Sequence, residues 1–326
     1  MHGDPLLEVS CATPDDVRIL RDALVRIEQT VGEKVPLILD LGNDGTAVRF
    51  LTAYTAFLPG RQIVLTGSAR MRQRPIAPLV NALRKAGAQI RYMENPDSLP
   101  ISVSGVSLPQ NLPPIDVDGT LSTQFVSALL LAGVPVRTAT QSPYIDFTRT
   151  MIARYTPLLP VEADWASAAF WYEYVALHGG ALLLEGLKED SLQADKAVAS
   201  VFGRMGVDTQ FTQDGCAVCR TDRPLPSFLQ IDFASCPDVY PAAAMTCSRL
   251  GISLEATGTE RLAYKESDRL QSVAALLRTP RGGVAQSFDD HRIAMAALAA
   301  DLRIDNSQCI HKSYPLFLEQ LCNIRV

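Results

Sequence analysis

Five stretches of the chain open in the same way, and this recurrence constrains the fold more than any other feature. They begin at Leu41 (LGNDGTAVRF), Asp118 (DGTLSTQF), Val161 (VEADWASAAF), Cys236 (CPDVYPAAAM) and Phe288 (FDDHRIAM). Each places small and polar residues directly ahead of an apolar, mostly Ala-rich run. Each therefore reads as a helix N-terminus, where unpaired backbone N–H groups and the positive end of the helix dipole favour an anion. A fold that repeats this unit can aim several helix starts at one ligand, and a ligand bearing phosphate and carboxylate fits.

Between the openings, helix and strand signals alternate. An amphipathic helix is expected over 15–27, a strand over 62–66, a helix over 76–86 stopped by Gly87, and a strand over 88–92. The scheme returns with a helix over 166–177, a turn at Gly179 and Gly180, a strand over 181–185, a helix over 195–205 ended by Gly206, and a strand over 207–211. The repeat is strand, helix, strand, helix, strand, strand. This predicts an α/β (α+β) chain with separated sheets and helices. Two units are long, 41–117 and 161–235. Two are short, 118–160 and 236–287, and their closing strands are hard to find. The 326 residues are enough for two lobes, 1–160 and 161–326, with the Pro-rich stretch 156–160 as the hinge.

The net charge of -5 argues against a nucleic-acid binder. Yet Arg49, Arg74, Lys265, Arg269, Arg292 and Lys312 sit beside the openings, which suits a small anionic substrate. No apolar run reaches the ~20 residues of a membrane span. The seven cysteines read as reduced cytosolic thiols. Cys216 and Cys219 form one Cys-x-x-Cys, with no second pair or nearby histidines to complete a zinc site, so an ordinary strand is expected there.

Arg70, Arg72 and Arg74 crowd five residues ahead of Pro75, either as a solvated basic turn or as anion ligands. In Lys265-Glu266-Ser267-Asp268-Arg269, helical spacing places Lys265 and Arg269 on one face. This is either a salt-bridged surface helix or an anion clamp by Arg269, with Glu266 free for proton transfer. Asp289-Asp290-His291-Arg292 sets acid, imidazole and guanidinium before the apolar run 293–300. Trp165, Phe170, Trp171, Tyr172 and Tyr174 read as core packing, and Asp164 and Ser167 as cap and hinge residues.

Residues 41–49, 65–75, 122–125, 143–146, 161–169, 237–238, 265–269, 290–295 and 312–315 resemble, in order, the motifs of the 3-phosphoshikimate 1-carboxyvinyltransferase (EPSP synthase) family. The resemblance covers nearly the whole chain. It implies two lobes forming an inside-out α/β barrel of repeated βαβαββ units, with the active site in the interlobe cleft. It implies transfer of the enolpyruvyl group from phosphoenolpyruvate to the 5-hydroxyl of shikimate 3-phosphate, by addition and then elimination. No metal or organic cofactor is implied, and the expected setting is a cytoplasmic monomer.

Carried over by motif, Asp238 is the base, with Lys265 nearby, and both also hold shikimate 3-phosphate. Glu266 serves the methylene carbon, with His291 close. Gly45, Arg49, Arg74, Gln124, Arg269, Arg292 and Lys312 fall at the phosphoenolpyruvate site, and Ser122, Thr123, Gln124 and Tyr144 at the shikimate 3-phosphate site.

The chain departs from the family in places. It opens within the first unit, near Pro5, without the family's Pro-Gly-Ser-Lys-Ser-x-Ser-Asn-Arg stretch, and as written is expected to be weakly active or inactive. Gln141 stands where the family has Ser, and Asp44 where it has a small neutral residue whose replacement by a carboxylate should repel an anion unless turned away. Two other readings stay open. One is a non-catalytic homologue that binds an anionic metabolite. The other is the UDP-N-acetylglucosamine enolpyruvyl transferase of cell-wall synthesis.

Overall fold

The computed structural model describes residues 10, 12–33, 35–154 and 161–324. By packing, the chain divides into two compact units, Met1–Pro157 and Leu158–Val326, each with its own hydrophobic core. The expected hinge 156–160 lies outside the described residues.

The first element among the described residues of this unit is α1 (Asp15–Gln29). A full βαβαββ repeat follows: β1 (Leu37–Asp40), α2 (Gly45–Ala56), β2 (Gln62–Thr66), α3 (Ala77–Lys85), β3 (Gln89–Tyr92) and β4 (Ile101–Ser104). The sheet order is β1-β2-β4-β3, with β1 and β2 parallel and β4 antiparallel to both neighbours. The short repeat after it holds β5 (Ile115–Asp116), α4 (Thr123–Leu131), β6 (Val136–Arg137) and α5 (Pro143–Arg154). β5 and β6 pair in parallel over two residues each, and no closing strand follows among the described residues.

In the second unit, α6 (Trp165–His178), β7 (Ala181–Glu185), α7 (Ala197–Gly203), β8 (Val207–Phe211) and β9 (Gly215–Arg220) repeat the long scheme. The order β7-β9-β8, all antiparallel, matches β2-β4-β3. The bond from Leu41 N to Thr66 O has its counterpart in Ala163 N to Gly186 O, both 3.1 Å. Two βαβα repeats complete the unit. The first is β10 (Phe228–Asp232), α8 (Tyr240–Leu250), β11 (Ser253–Thr257) and α9 (Arg269–Leu277). The second is β12 (Val284–Ala285), α10 (His291–Ala299), β13 (Arg303–Ile304) and α11 (Phe317–Ile324). β10 pairs with β11 and β12 with β13, both in parallel.

The most buried helices are α2 and α4 in the first unit and α6, α8 and α10 in the second. α6, α8 and α10 pack against one another, and alanines such as Ala169, Ala243 and Ala296 let their axes approach closely. The strands bury alternate residues, as in the pattern Phe228 out, Leu229 in, Gln230 out, Ile231 in, which is the signature of a sheet with one face on the core. Trp165, Phe170, Trp171 and Tyr172 are buried in this core.

All five openings are helix starts: α2, α4, α6, α10 and, through a 3-10 turn at Pro237–Val239, α8. Asp44, Asp164 and Asp290 are N-caps whose carboxylates accept backbone N–H groups of the first turn. Cys216 and Cys219 lie on β9, and the six cysteines among the described residues are free thiols. No helix among those residues is long and apolar enough to cross a membrane.

Candidate active site

In the first unit, Gly45 opens α2 with two guanidinium groups above its Cα. A Cβ there would lie 2.4 Å from Arg49 Nη1 and 2.9 Å from Arg74 Nη1. Arg74 follows the 3-10 turn Met71–Gln73, whose approach is held by Ser68 N donating to Gly42 O (2.8 Å). It is buried, so the crowded arginines are not simply a solvated turn; Arg72 pairs outward, 3.6 Å from Glu94. Arg49 stacks over Phe125, 5.5 Å from the ring centre, and Nη1 donates to Gln124 Oε1 at 2.8 Å. Gln124 Nε2 in turn donates to Thr46 Oγ1 at 2.9 Å. The starts of α2 and α4 are thereby locked together by residues 75 and 78 positions apart.

Ser122 is the N-cap residue of α4, with no side-chain bond to the helix, and Thr123 is buried beside it. Tyr144, half-buried, is the second residue of α5, where Ser142 Oγ accepts its backbone N–H (3.3 Å) while Gln141 is exposed. Asp44 does not oppose an anion as its charge alone suggests. It is buried and turned into α2, accepting Thr46 N and Ala47 N at 2.9 Å each.

The second unit gathers a denser set. Arg269 is 1% exposed, and three carboxylates surround it: Asp238 (Nη1–Oδ1 2.5 Å), Glu266 (Nη2–Oε2 2.6 Å) and Asp290 (Nε–Oδ2 2.7 Å). A buried guanidinium is costly unless paired, and three partners offset that cost. Lys265 Nζ lies 3.0 Å and Arg292 Nη2 3.3 Å from Asp238, and Lys312 Nζ 3.8 Å from Glu266. Four cations thus face three carboxylates at close range, with the charges of Asp164 and Asp195 also reaching Arg292.

The local backbone corrects the helical-face expectation for residues 265–269. Lys265 is extended, at φ -83° and ψ -165°, and α9 begins only at Arg269, capped by Asp268. Lys265 and Arg269 meet on Asp238 through a bend, not a shared helix face. Glu266 is likewise not free, since its two oxygens face Arg269 and Lys312. Ahead of α10, Phe288 and Asp289 take left-handed φ values of 54° and 52°. Asn306 Nδ2 holds Asp289 Oδ1 (2.8 Å) and Asp305 Oδ1 holds Ser287 N (2.8 Å), so strain in this loop is fixed from outside.

Burial works against the Asp238 charge, but Arg292, Lys265 and Arg269 outweigh it and hold the carboxyl well below its usual range. Asp290 is lowered too, burial again being outweighed by Arg269. Burial and the neighbouring Arg292 push His291 down to about 3, so the imidazole is neutral near pH 7. Ligand atoms of Glu266, Asp290 and His291 lie within 4.8 Å of one another. The positive charge between the two carboxylates is the Arg269 guanidinium, which a metal ion would have to displace.

Asp290 has no assigned role in the sequence reading, yet it joins Arg269 to α10. The signal was present in an Asp directly before a helical run.

The sequence matches the EPSP synthase (3-phosphoshikimate 1-carboxyvinyltransferase) family over residues 21–157, 132–281 and 278–321. It is 32% identical, over 364 aligned positions, to a 3-phosphoshikimate 1-carboxyvinyltransferase of Bacteroides fragilis, covering 94% of this chain and 86% of that protein. To one of Methanospirillum hungatei it is 29% identical, covering 92% and 82%. An EPSP synthase structure from Acinetobacter baumannii has the same fold, with a TM-score of 0.66, 24% identity, and coverage of 88% and 78%. The matched blocks overlap at 132–157 and 278–281, where the two short repeats end with no closing strand among the described residues.

Proposed function

Because the chain belongs to the EPSP synthase family, we propose that it transfers the carboxyvinyl group of phosphoenolpyruvate to the 5-hydroxyl of shikimate 3-phosphate, releasing phosphate. The observation that carries this reading is geometric: Asp238 and Glu266 sit among Arg269, Arg292, Lys265 and Lys312 within 2.5–3.8 Å. An ionised carboxylate among cations can take a hydroxyl proton while the cations stabilise a departing phosphate.

The reaction assigns the parts. Asp238 removes the hydroxyl proton as oxygen bonds to C2 of phosphoenolpyruvate, and Glu266 supplies a proton to the methylene carbon. In the second half the C2–O bond to phosphate breaks, the methyl carbon returns a proton to Glu266, and the proton held by Asp238 leaves with the phosphate, so both carboxyl groups end as they began. Neutral His291 sits beside this exchange without adding charge. Lys312, Arg292 and Arg269 are assigned to phosphoenolpyruvate, with Gly45, Arg49, Arg74 and Gln124 of the first unit. Ser122, Thr123, Gln124 and Tyr144 are assigned to shikimate 3-phosphate, with Asp238 and Lys265.

The free cysteines suit a reducing compartment, and we assign the enzyme to the cytoplasm, acting as a monomer.

Asp238→Asn keeps the shape and removes the base. It should lower turnover roughly 10²–10⁴-fold with the fold retained by circular dichroism. Turnover within a few-fold of the parent would remove Asp238 from this role.

A further inference from the structure

We propose that Ser272 and Ser267 are positioning residues: a buried hydroxyl relay that orients Arg269 through Asp290 and decides which edge of its guanidinium a ligand can claim. The inference rests on the assignment of Arg269 to phosphoenolpyruvate made above. Ser272 Oγ donates to Ser267 Oγ at 2.9 Å, and Ser267 Oγ donates to Asp290 Oδ2 at 3.0 Å. The relay is dry, with Ser272 3%, Ser267 7% and Asp290 0% exposed.

Asp290 accepts four bonds. Oδ2 takes Ser267 Oγ and Arg269 Nε, while Oδ1 takes Arg269 Nη2 (3.2 Å) and Arg292 N (3.0 Å). Its two contacts with Arg269 form a bidentate grip on the Nε edge. The other edge, Nη1 and Nη2, faces Asp238 and Glu266, which are 19% and 11% exposed. The two edges differ in kind. The Nε edge is clamped by a carboxylate fixed as a helix cap and by the relay. The Nη edge is held by carboxylates that solvent reaches, so an incoming carboxylate or phosphate can trade places with them there.

Rotation of the Asp290 carboxylate would tilt the guanidinium plane and spoil that exchange. Ser267 is the hydroxyl that opposes the rotation, and Ser272 orients Ser267. Neither contacts a group assigned to the substrates other than through Asp290 and Arg269 in these bonds, so both act at one remove.

The test uses the full chain with Ser267→Ala, Ser272→Ala and the double variant. KM for phosphoenolpyruvate should rise about five- to tenfold in Ser267→Ala, the scale of one lost buried hydrogen bond, and less in Ser272→Ala. KM for shikimate 3-phosphate should stay unchanged. Because the hydroxyls act in series, the double variant should be no worse than Ser267→Ala. Additive losses, or a fall in kcat with both KM values unmoved, would overturn the relay.

A ligand-independent arm separates this claim from the enzyme reading. In protein with 15N-labelled arginine, the Arg269 Nε–H should exchange slowly with solvent, and faster in both serine variants. If the parent gives no product yet this exchange pattern holds, the enzyme reading fails and the relay stands. If exchange is alike in all three proteins, the relay fails whatever the parent's activity.

Discussion

At Gly45 the missing side chain lets two guanidinium groups approach one helix start, and any Cβ would displace Arg49 or Arg74. Both arginines are buried, so the displacement is not absorbed by a flexible tail in solvent. Gly45→Ala should therefore raise KM for phosphoenolpyruvate at least several-fold while leaving KM for shikimate 3-phosphate close to the parent value. Equal KM values for phosphoenolpyruvate in steady-state kinetics would show that the arginines at this turn do not grip that substrate. The residue types here were legible in the sequence, but their partners were not. Arg49 meets Gln124 and Arg269 meets Asp238 only because the fold returns distant segments to one place. Lys265 was placed on a helix face because spacing alone does not reveal that Asp268 caps the helix after it.

Elements were easier to read than contacts, because helix starts depend on local chemistry. Asp44, Asp164 and Asp290 cap because a short carboxylate reaches the first-turn N–H groups from its own backbone. Two-residue strands such as β5 and β12 carry too little pattern to announce themselves. α6 also holds a residue whose burial no periodicity predicts. Glu173 is 0% exposed, with neither carboxylate oxygen hydrogen-bonded among the described residues. Burial pushes its carboxyl well above the usual range, and the Arg249 charge offsets this only in part. The native state thus favours the protonated acid. Relative to an uncharged side chain, stability is full below the unfolded-state value of about 4.3 and is lost as pH rises through the raised native one. Glu173→Gln should match the parent near pH 4 and exceed it at pH 8 by on the order of 1–3 kcal/mol. Denaturant melts at the two pH values check this, and a gain confined to acid would contradict it.

Across the whole molecule, each unit buries Ala-rich helices against sheets, and each presents basic residues at helix starts. The repeat was visible in the sequence because every copy must solve the same capping problem. The overlaps between matched blocks likewise fall in the repeats that read as short. On the proposed assignment, the charge arrangement of the second unit is the part that separates a catalyst from a binder, since Asp238 and Glu266 are both carboxylates set among cations. Binding alone needs the cations; proton transfer needs the acids as well.

That distinction is read most directly by following phosphoenolpyruvate and shikimate 3-phosphate with the purified chain in D2O by 31P and 1H NMR. The account predicts one inorganic phosphate per enol ether formed, with deuterium entering the vinyl carbon through the methyl-bearing intermediate. Both substrates remaining intact over many hours, with binding still detectable, would contradict it.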